Sequence, residues 1–178
     1  MVGAPIALQE TFKTIIKSSR KIYEANNDKT NLMYIDMLEK MDSTSAEYYS
    51  YAFAHAMQNG FYSPKKKSDE AKAISSNASK DPNFQYVSKM TIDAPQGFLK
   101  NENYTSIDLH ADLTSMVKAK FKIYGLYGKE DGLYSVDQVN RLQDIIGVEQ
   151  MLYLDNCSHS VFIDQQKQFI DFLKSKLK

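Results

Sequence analysis

One segment, residues 121–162, constrains the fold of this chain more than any other. Its pattern predicts a strand, an acidic turn, a helix, a second strand and a histidine loop. Residues 121–127 are rich in aromatic and β-branched side chains, and they end on the turn sequence Gly-Lys-Glu-Asp-Gly. Apolar side chains then recur at helical spacing over residues 135–146, and residues 150–154 return to a strand pattern.

The connection between the two predicted strands decides where the polar side chains meet. Ser135 is a candidate N-cap for the intervening helix, and Gly147 a candidate stop. A helix between two strands predicts a right-handed parallel crossover, so both strands end at the same edge of one sheet. We therefore expect Asp131 and His159 to lie close together at that edge, where open α/β sheets place their chemistry.

This order of elements resembles the C-terminal part of the α/β-hydrolase family, whose triad follows the chain order nucleophile, acid, histidine. By the resemblance, Asp131 corresponds to the acid and His159 to the histidine. The loop and helix after His159 are similar to the family ending G-H-x-x-x-x-E-x-P-x-x-F, with Ser158 in place of Gly and Asp164 in place of Glu. In such a triad the carboxylate orients the imidazole, which takes the proton of the nucleophile.

The nucleophile of that family has no counterpart here. Glycine occurs at positions 3, 60, 97, 125, 128, 132 and 147, and none of these frames a serine in a G-x-S-x-G elbow. The opening sequence Met-Val-Gly-Ala-Pro-Ile-Ala is similar to the strand and exit loop that follow the elbow helix. We expect the second half of a hydrolase, nearest to the proline-iminopeptidase-like branch, with no nucleophile of its own and no activity alone.

The predicted fold class is α/β: a partial α/β-hydrolase fold with a small parallel sheet of about three strands, flanking helices and a helical cap. The strands are predicted at residues 2–7, 121–127 and 150–154. Residues 1–7 and 101–178 would form the C-terminal part of the hydrolase core, and residues 8–100 the cap. Further helices are predicted at residues 10–23, 31–41, 46–58, 69–79, 81–90, 107–117 and 163–177, with a chain break at 93–97.

Composition excludes several classes of function. Lys and Arg number 22, as do Asp and Glu, so no net charge favours nucleic acid or an anionic membrane. The one cysteine excludes an internal disulfide and suits a reducing compartment, here the cytoplasm. No apolar stretch is long enough to span a bilayer, and the first residues lack a signal-peptide pattern. The three histidines have no metal-ligand spacing, so we predict no metal and no cofactor.

Each candidate residue has a structural alternative. An Asp before Gly is also a common turn residue. Cys157 is better interpreted as a buried structural thiol than as a nucleophile. His55 and His110 lie in helical segments and are interpreted as structural. A cluster of six aromatic side chains either packs between cap helices, the interpretation we favour, or lines an apolar substrate pocket: Tyr48, Tyr49, Tyr51, Phe53, Phe61 and Tyr62.

The resemblance implies a hydrolase that transfers an acyl group to water through a serine acyl-enzyme. Its substrate would be a small-molecule ester, an amide or a short peptide. The strand at residues 2–7 would form an exposed sheet edge, so we expect association with a second copy or with the missing N-terminal half. The alternative is a non-enzymatic truncated module that acts by self-association or partner binding.

Overall fold

The computed structural model describes residues 1–89 and 93–176. It is mostly helical, with two strands, β1 (Gly125–Gly128) and β2 (Met151–Leu154). The helices are α1 (Leu8–Ala25), α2 (Lys29–Leu38), α3 (Ala46–Gln58), α4 (Asp69–Ser79), α5 (Asp93–Asn101), α6 (His110–Lys118), α7 (Val136–Ile146), α8 (Val161–Asp164) and α9 (Gln166–Lys176). Short 3₁₀ helices cover Pro82–Lys89, Tyr104–Ser106 and Val148–Gln150.

The sheet is a parallel pair, as the sequence predicts. Gly125 lies opposite Met151, and the register continues to Gly128 opposite Leu154. The connecting helix α7 begins at a capping box: the Ser135 hydroxyl accepts the Gln138 N–H, and the Gln138 side chain accepts the Ser135 N–H. The strand–helix–strand order is therefore confirmed, and the chain belongs to the mixed α/β class.

The prediction of a third strand at residues 2–7 is wrong for the described chain. Only Val2 pairs with β1, through an isolated parallel bridge to Leu126. Gly3 then turns the chain out of the ladder with φ +51°, and Pro5 has no N–H to donate to a neighbouring strand. A separate antiparallel bridge joins Ala7 to Asp108. The strand predicted at residues 121–127 is also shorter than expected. It forms only β1, because its partner β2 offers only four residues for pairing.

A second correction concerns residues 93–97, which the sequence predicts as a chain break. The structure instead begins helix α5 at Asp93 and carries it through Gly97. Pro95 occupies the third position of this helix, within the first turn, where a backbone N–H has no intrahelical acceptor to lose. The segment predicted as a helix at 81–90 is a 3₁₀ helix, and its predicted end at Met90 lies outside the described residues, as does Leu177.

Helix α1 is the centre of the helical block. It buries one face against α2 and α3, where Phe12 contacts a cluster that includes Leu38 and Tyr48. A second cluster joins α6, α7 and β1 around Leu142. Burial of such apolar side chains supplies most of the free energy that stabilises a domain of this size.

A third cluster connects the helical block to the sheet. Ile15 of α1, Ala56 of α3 and Phe61 form one buried cluster with Leu133, which lies in the loop that follows β1. The helical block is therefore fixed against the loop that carries Asp131.

Candidate active site

Asp131 and His159 come together at the carboxyl ends of the two strands. Asp131 lies in the turn after β1, and His159 lies in the loop after β2. Two backbone hydrogen bonds hold these loops side by side: the Lys129 N–H donates to the Leu154 carbonyl at 2.9 Å, and the Glu130 N–H donates to the Cys157 carbonyl at 2.9 Å. The parallel pairing therefore places both side chains at one edge, as expected from the sequence.

The Asp131 carboxylate is almost fully buried, with its side chain 1% exposed. One oxygen, Oδ1, accepts the Leu133 N–H at 3.0 Å, and the other, Oδ2, lies 3.1 Å from Nδ1 of His159. An ionised carboxylate only accepts hydrogen bonds, so Nδ1 of the neutral imidazole carries the proton. This tautomer leaves Nε2 of His159 as a proton acceptor, which is the arrangement that a general base requires.

The His159 imidazole is partly open to solvent, with its side chain 31% exposed. The Tyr62 ring stands edge-on to it with centroids 5.1 Å apart, and the Tyr134 ring lies 6.2 Å away. Among the residues that the structure describes, none hydrogen-bonds to Nε2. The imidazole is therefore oriented from the Nδ1 side and from its ring faces, while Nε2 remains accessible.

Ser158 and Asp164 position the histidine loop, a role that the sequence did not reveal. The buried Ser158 hydroxyl lies within hydrogen-bonding distance of two carbonyls, 3.1 Å from that of Phe61 and 3.2 Å from that of Glu130. The Ser158 N–H donates to Oδ2 of Asp164 at 2.9 Å. Burial raises the pKa of Asp164, and the Ser158 N–H opposes that rise. In the sequence, Ser158 and Asp164 stand only as departures from the ending that this segment resembles, and they gave no sign of this contact.

Gly128 allows the close approach of the two loops. A Cβ at this position would lie 2.2 Å from the Cys157 carbonyl oxygen, so any side chain would force the histidine loop away from the acidic turn. Gly3 has a similar role next to the histidine loop, because a Cβ at this position would lie 2.7 Å from the His159 carbonyl oxygen. The last residue of β1 and the residue after Val2 are therefore glycines for steric reasons.

Two tyrosine hydroxyls anchor the first residues beside the site. Tyr127 donates to the Ala4 carbonyl at 2.7 Å, and Tyr134 donates to the Gly3 carbonyl at 2.6 Å. Burial is the main cause that raises the pKa of both phenols, so they stay protonated donors. Sequence reasoning missed this role, although Tyr134 lies only three residues after Asp131.

Cys157 lies two residues from His159 but is fully buried. Burial raises the pKa of its thiol to about 12, and nearby carboxylates add to the effect. A thiol that stays protonated at neutral pH is a poor nucleophile. The environment of Cys157 thus agrees with a structural thiol.

The other two histidines have local partners. The His55 Nδ1 lies 2.8 Å from the Tyr23 hydroxyl inside the helical block, and burial lowers the pKa of the His55 imidazole. The His110 Nδ1 lies 2.6 Å from Oδ1 of Asp108 at the start of α6. The described residues contain no group of three or more His, Cys, Asp and Glu side chains placed to hold a metal ion.

The aromatic cluster divides into three kinds of position. Tyr48 and Phe61 are buried and pack in the core, in agreement with the interpretation favoured from the sequence. Tyr51 is 56% exposed. The remaining three, Tyr49, Phe53 and Tyr62, are partly buried and extend from α3 towards His159.

Comparisons with protein-family models, curated proteins and solved structures found no match to this chain. Within the part of the chain that the structure describes, no helix is both long enough and apolar enough to cross a membrane. The site geometry is therefore the evidence on which a function can be proposed. That geometry provides an oriented, accessible imidazole backed by a buried carboxylate.

Proposed function

We propose that this chain supplies the acid and the base of a serine hydrolase of the α/β-hydrolase type. The observation that carries the proposal is the hydrogen bond between Oδ2 of Asp131 and Nδ1 of His159, formed across the ends of two parallel strands. A His–carboxylate pair with an open Nε2 is what a serine nucleophile needs in order to lose its proton. The substrates would be small esters, amides or short peptides.

The roles of the two residues follow from their surroundings. His159 would take the proton of a serine hydroxyl at Nε2 and pass it to the leaving group of the substrate. Asp131 would hold the tautomer that makes Nε2 the acceptor and would stabilise the imidazolium that forms. The burial of Asp131 strengthens this interaction, because a carboxylate that is removed from water is screened less.

The nucleophile would come from a segment that is not among these 178 residues, since they contain no G-x-S-x-G sequence. The outer side of the backbone at Val2, which pairs with β1 on its inner side, offers a place where such a segment could pair. The Gly3 N–H donates to the Leu126 carbonyl, and the Leu126 N–H donates to the Met1 carbonyl, each at 3.0 Å. No described residue pairs with the backbone N–H or C=O of Val2, so both can accept a further strand.

A fluorophosphonate probe, which reacts with the serine of an assembled triad, tests the proposal. The chain would be tagged in the cells that produce it and purified after treatment with the probe. We expect a labelled serine on the tagged polypeptide or on a partner bound to it, and we expect the label to disappear when Asp131 and His159 are both changed to alanine.

The control is an alanine double variant at Asp108 and His110, because it removes a second His–Asp pair, whose atoms lie 2.6 Å apart. It should keep the label. The absence of any labelled serine, or equal labelling in the two double variants, would contradict the proposal. Purified dimers without label would instead support the alternative, a non-enzymatic module that associates through the open edge at Val2.

A further inference from the structure

A row of four aromatic side chains leads away from His159 along the helical block. It consists of Tyr62, Phe53, Tyr49 and Tyr104, and we refer to it as the aromatic row. Starting from the His159 ring, successive ring centroids are 5.1, 6.4, 4.7 and 6.2 Å apart. These distances are those of aromatic pairs in contact or near contact. The row thus forms a continuous apolar surface that begins at the imidazole.

The row has a buried back and an accessible front. Behind it, Phe12 of α1 is 1% exposed and packs edge-on against Tyr49 and Phe53, with centroids 6.2 and 6.0 Å away. The four members of the row are themselves only partly buried. The rings pack against the core on one side, and part of each ring is accessible to a ligand on the other.

The phenol hydroxyls of the row are available for hydrogen bonding. Among the described residues, none hydrogen-bonds to the hydroxyls of Tyr49, Tyr62 or Tyr104. Burial raises the pKa of Tyr62, and the phenols of Tyr49 and Tyr104 and the Asp131 carboxylate add to the rise. Burial also raises the pKa of Tyr49 and Tyr104, so the three phenols stay protonated and can donate hydrogen bonds.

We propose that the aromatic row binds an uncharged aromatic or cyclic group of the substrate that carries an oxygen acceptor. The rings would contact the hydrocarbon part, and the phenols of Tyr49, Tyr62 or Tyr104 would donate to the oxygen. The proposal rests on the proposed function, because the row begins at His159 and the bound group would therefore lie next to the carbonyl under attack. It narrows the substrate class to esters or amides with such a group.

The charges around the row disfavour ionised groups. Asp131 repels an anion, and the apolar rings do not replace its hydration. A cation is attracted by the faces of aromatic rings, but His159 becomes positively charged during the proposed reaction and would repel it. A neutral group avoids both costs.

Binding of three naphthalene probes to the purified chain tests the charge preference. The probes are 2-acetylnaphthalene, which is neutral with a carbonyl acceptor, 2-naphthoate, which is an anion, and 2-naphthylmethylammonium, which is a cation. The protein has three histidines, so the carbon-bound ring protons of His159 can be followed separately by NMR. We expect saturable shifts at His159 with the neutral probe, and weaker binding of both ions. Equal or tighter binding of either ion would overturn the proposal.

Two variants locate the probe. Tyr62→Leu and Tyr49→Leu should each weaken binding of 2-acetylnaphthalene roughly fivefold, the size of one aromatic pair interaction. Tyr51→Leu is the matched control, because Tyr51 lies on the same helix as Tyr49 but is 56% exposed and outside the row. Unchanged His55 and His110 signals would show that each variant is folded.

A third variant separates the ring from the hydroxyl. Tyr62→Phe should retain most of the binding that Tyr62→Leu loses. If the leucine variants at 49 and 62 bind the probe as tightly as Tyr51→Leu does, the aromatic row is not the site. This readout needs no nucleophile, so it can fail while the fluorophosphonate label is present, and it can succeed while the label is absent.

Discussion

The described residues include two His–Asp pairs, and these differ in how the fold makes them. His110 and Asp108 are two residues apart in sequence, and their side chains lie 2.6 Å apart at the start of α6. His159 and Asp131 are 28 residues apart, and their side chains lie 3.1 Å apart across two strand ends. The Asp108 side chain is 63% exposed, whereas that of Asp131 is 1% exposed.

The comparison shows that a short distance is weak evidence for a function. Oδ1 of Asp108 accepts both the backbone N–H and the Nδ1 of His110, a local turn that many helix starts can form. The pair of Asp131 and His159 requires two strands, a crossover helix and two loops to be in place. Buried polar side chains brought together from distant parts of a chain are the better candidates for chemistry.

The accessible ring nitrogen also differs between the pairs. The Nε2 of His110 is buried and has no hydrogen-bond partner among the described residues. The His159 side chain is 31% exposed and presents Nε2 beside the aromatic row. The Nε2 of His159, unlike that of His110, can therefore exchange a proton with a molecule from outside.

The largest expected effect is on stability. Asp131→Ala should lower the free energy of unfolding by about 3 kcal/mol, because it leaves the Leu133 N–H and the Nδ1–H of His159 without acceptors at a buried position. Asp108→Ala should cost only about 1 kcal/mol, the value of a local cap. Urea unfolding of both variants measures the difference, and equal losses would mean that the buried pair is no more tightly held than the exposed one.

The second prediction concerns chemical modification of the imidazoles. Diethyl pyrocarbonate acylates an accessible, unprotonated ring nitrogen, so His159 should be modified first and His110 and His55 later. Peptide mass spectrometry after short exposures gives the order of modification. In urea the three histidines should react at similar rates, which controls for intrinsic reactivity. Faster modification of His110 in the folded chain would contradict the assigned accessibilities.

The third effect is smaller and concerns Asp108. The backbone N–H of His110, and then its imidazole, hold the pKa of the Asp108 carboxyl below its ordinary value of 3.8. The ionised form therefore stabilises the fold above pH 3.8, and this contribution is lost as the pH falls through the lowered pKa. His110→Ala keeps the backbone donor, so the pKa should rise only in part. An NMR titration in which it returns to 3.8 would show that the imidazole is the main cause.

The fourth prediction is a null result. The isolated chain should hydrolyse p-nitrophenyl acetate no faster than the variant in which Asp131 and His159 are both alanine, because the sequence has no nucleophile elbow and the Cys157 thiol stays protonated. The alanine double variant at Asp108 and His110 should give the same rate. A loss of rate confined to the first double variant would reveal a nucleophile within the chain, and Cys157→Ser would then be the first variant to test.

Local patterns predicted much of the sheet edge. The helical spacing and the Ser135 cap placed α7 within one residue, and the crossover that it makes brought Asp131 and His159 together. Contacts between distant segments were not predictable in this way. The Ser158 hydroxyl bonds to Phe61 across 97 residues, and no periodicity in the sequence indicates such a contact. The contact of Tyr104 with Tyr49 in the aromatic row also joins distant segments, so it could not be predicted either.

Errors of prediction arose where the surroundings override local preference. Pro95 and Gly97 predicted a chain break, yet α5 begins in time to place the proline in its first turn. The small apolar residues at 2–7 predicted a strand, but strand formation needs a paired neighbour on the ladder, and Gly3 turns the chain away after one bridge. Single-residue preferences therefore failed where the position within a helix, or the pairing of the backbone with a neighbour, was decisive.

The Phe61 carbonyl receives hydrogen bonds from both loops of the site. The Gly132 N–H donates to it at 3.0 Å from the acidic turn, and the Ser158 hydroxyl lies 3.1 Å away in the histidine loop. A main-chain acceptor survives any substitution of the side chain, so point mutations at 61 would leave both bonds possible. Insertion or deletion of one residue between Gly60 and Ser63 would move the acceptor and release both loops at once. These two bonds constrain the length of the segment, and the packing of the Phe61 ring with Ile15, Ala56 and Leu133 constrains its composition separately.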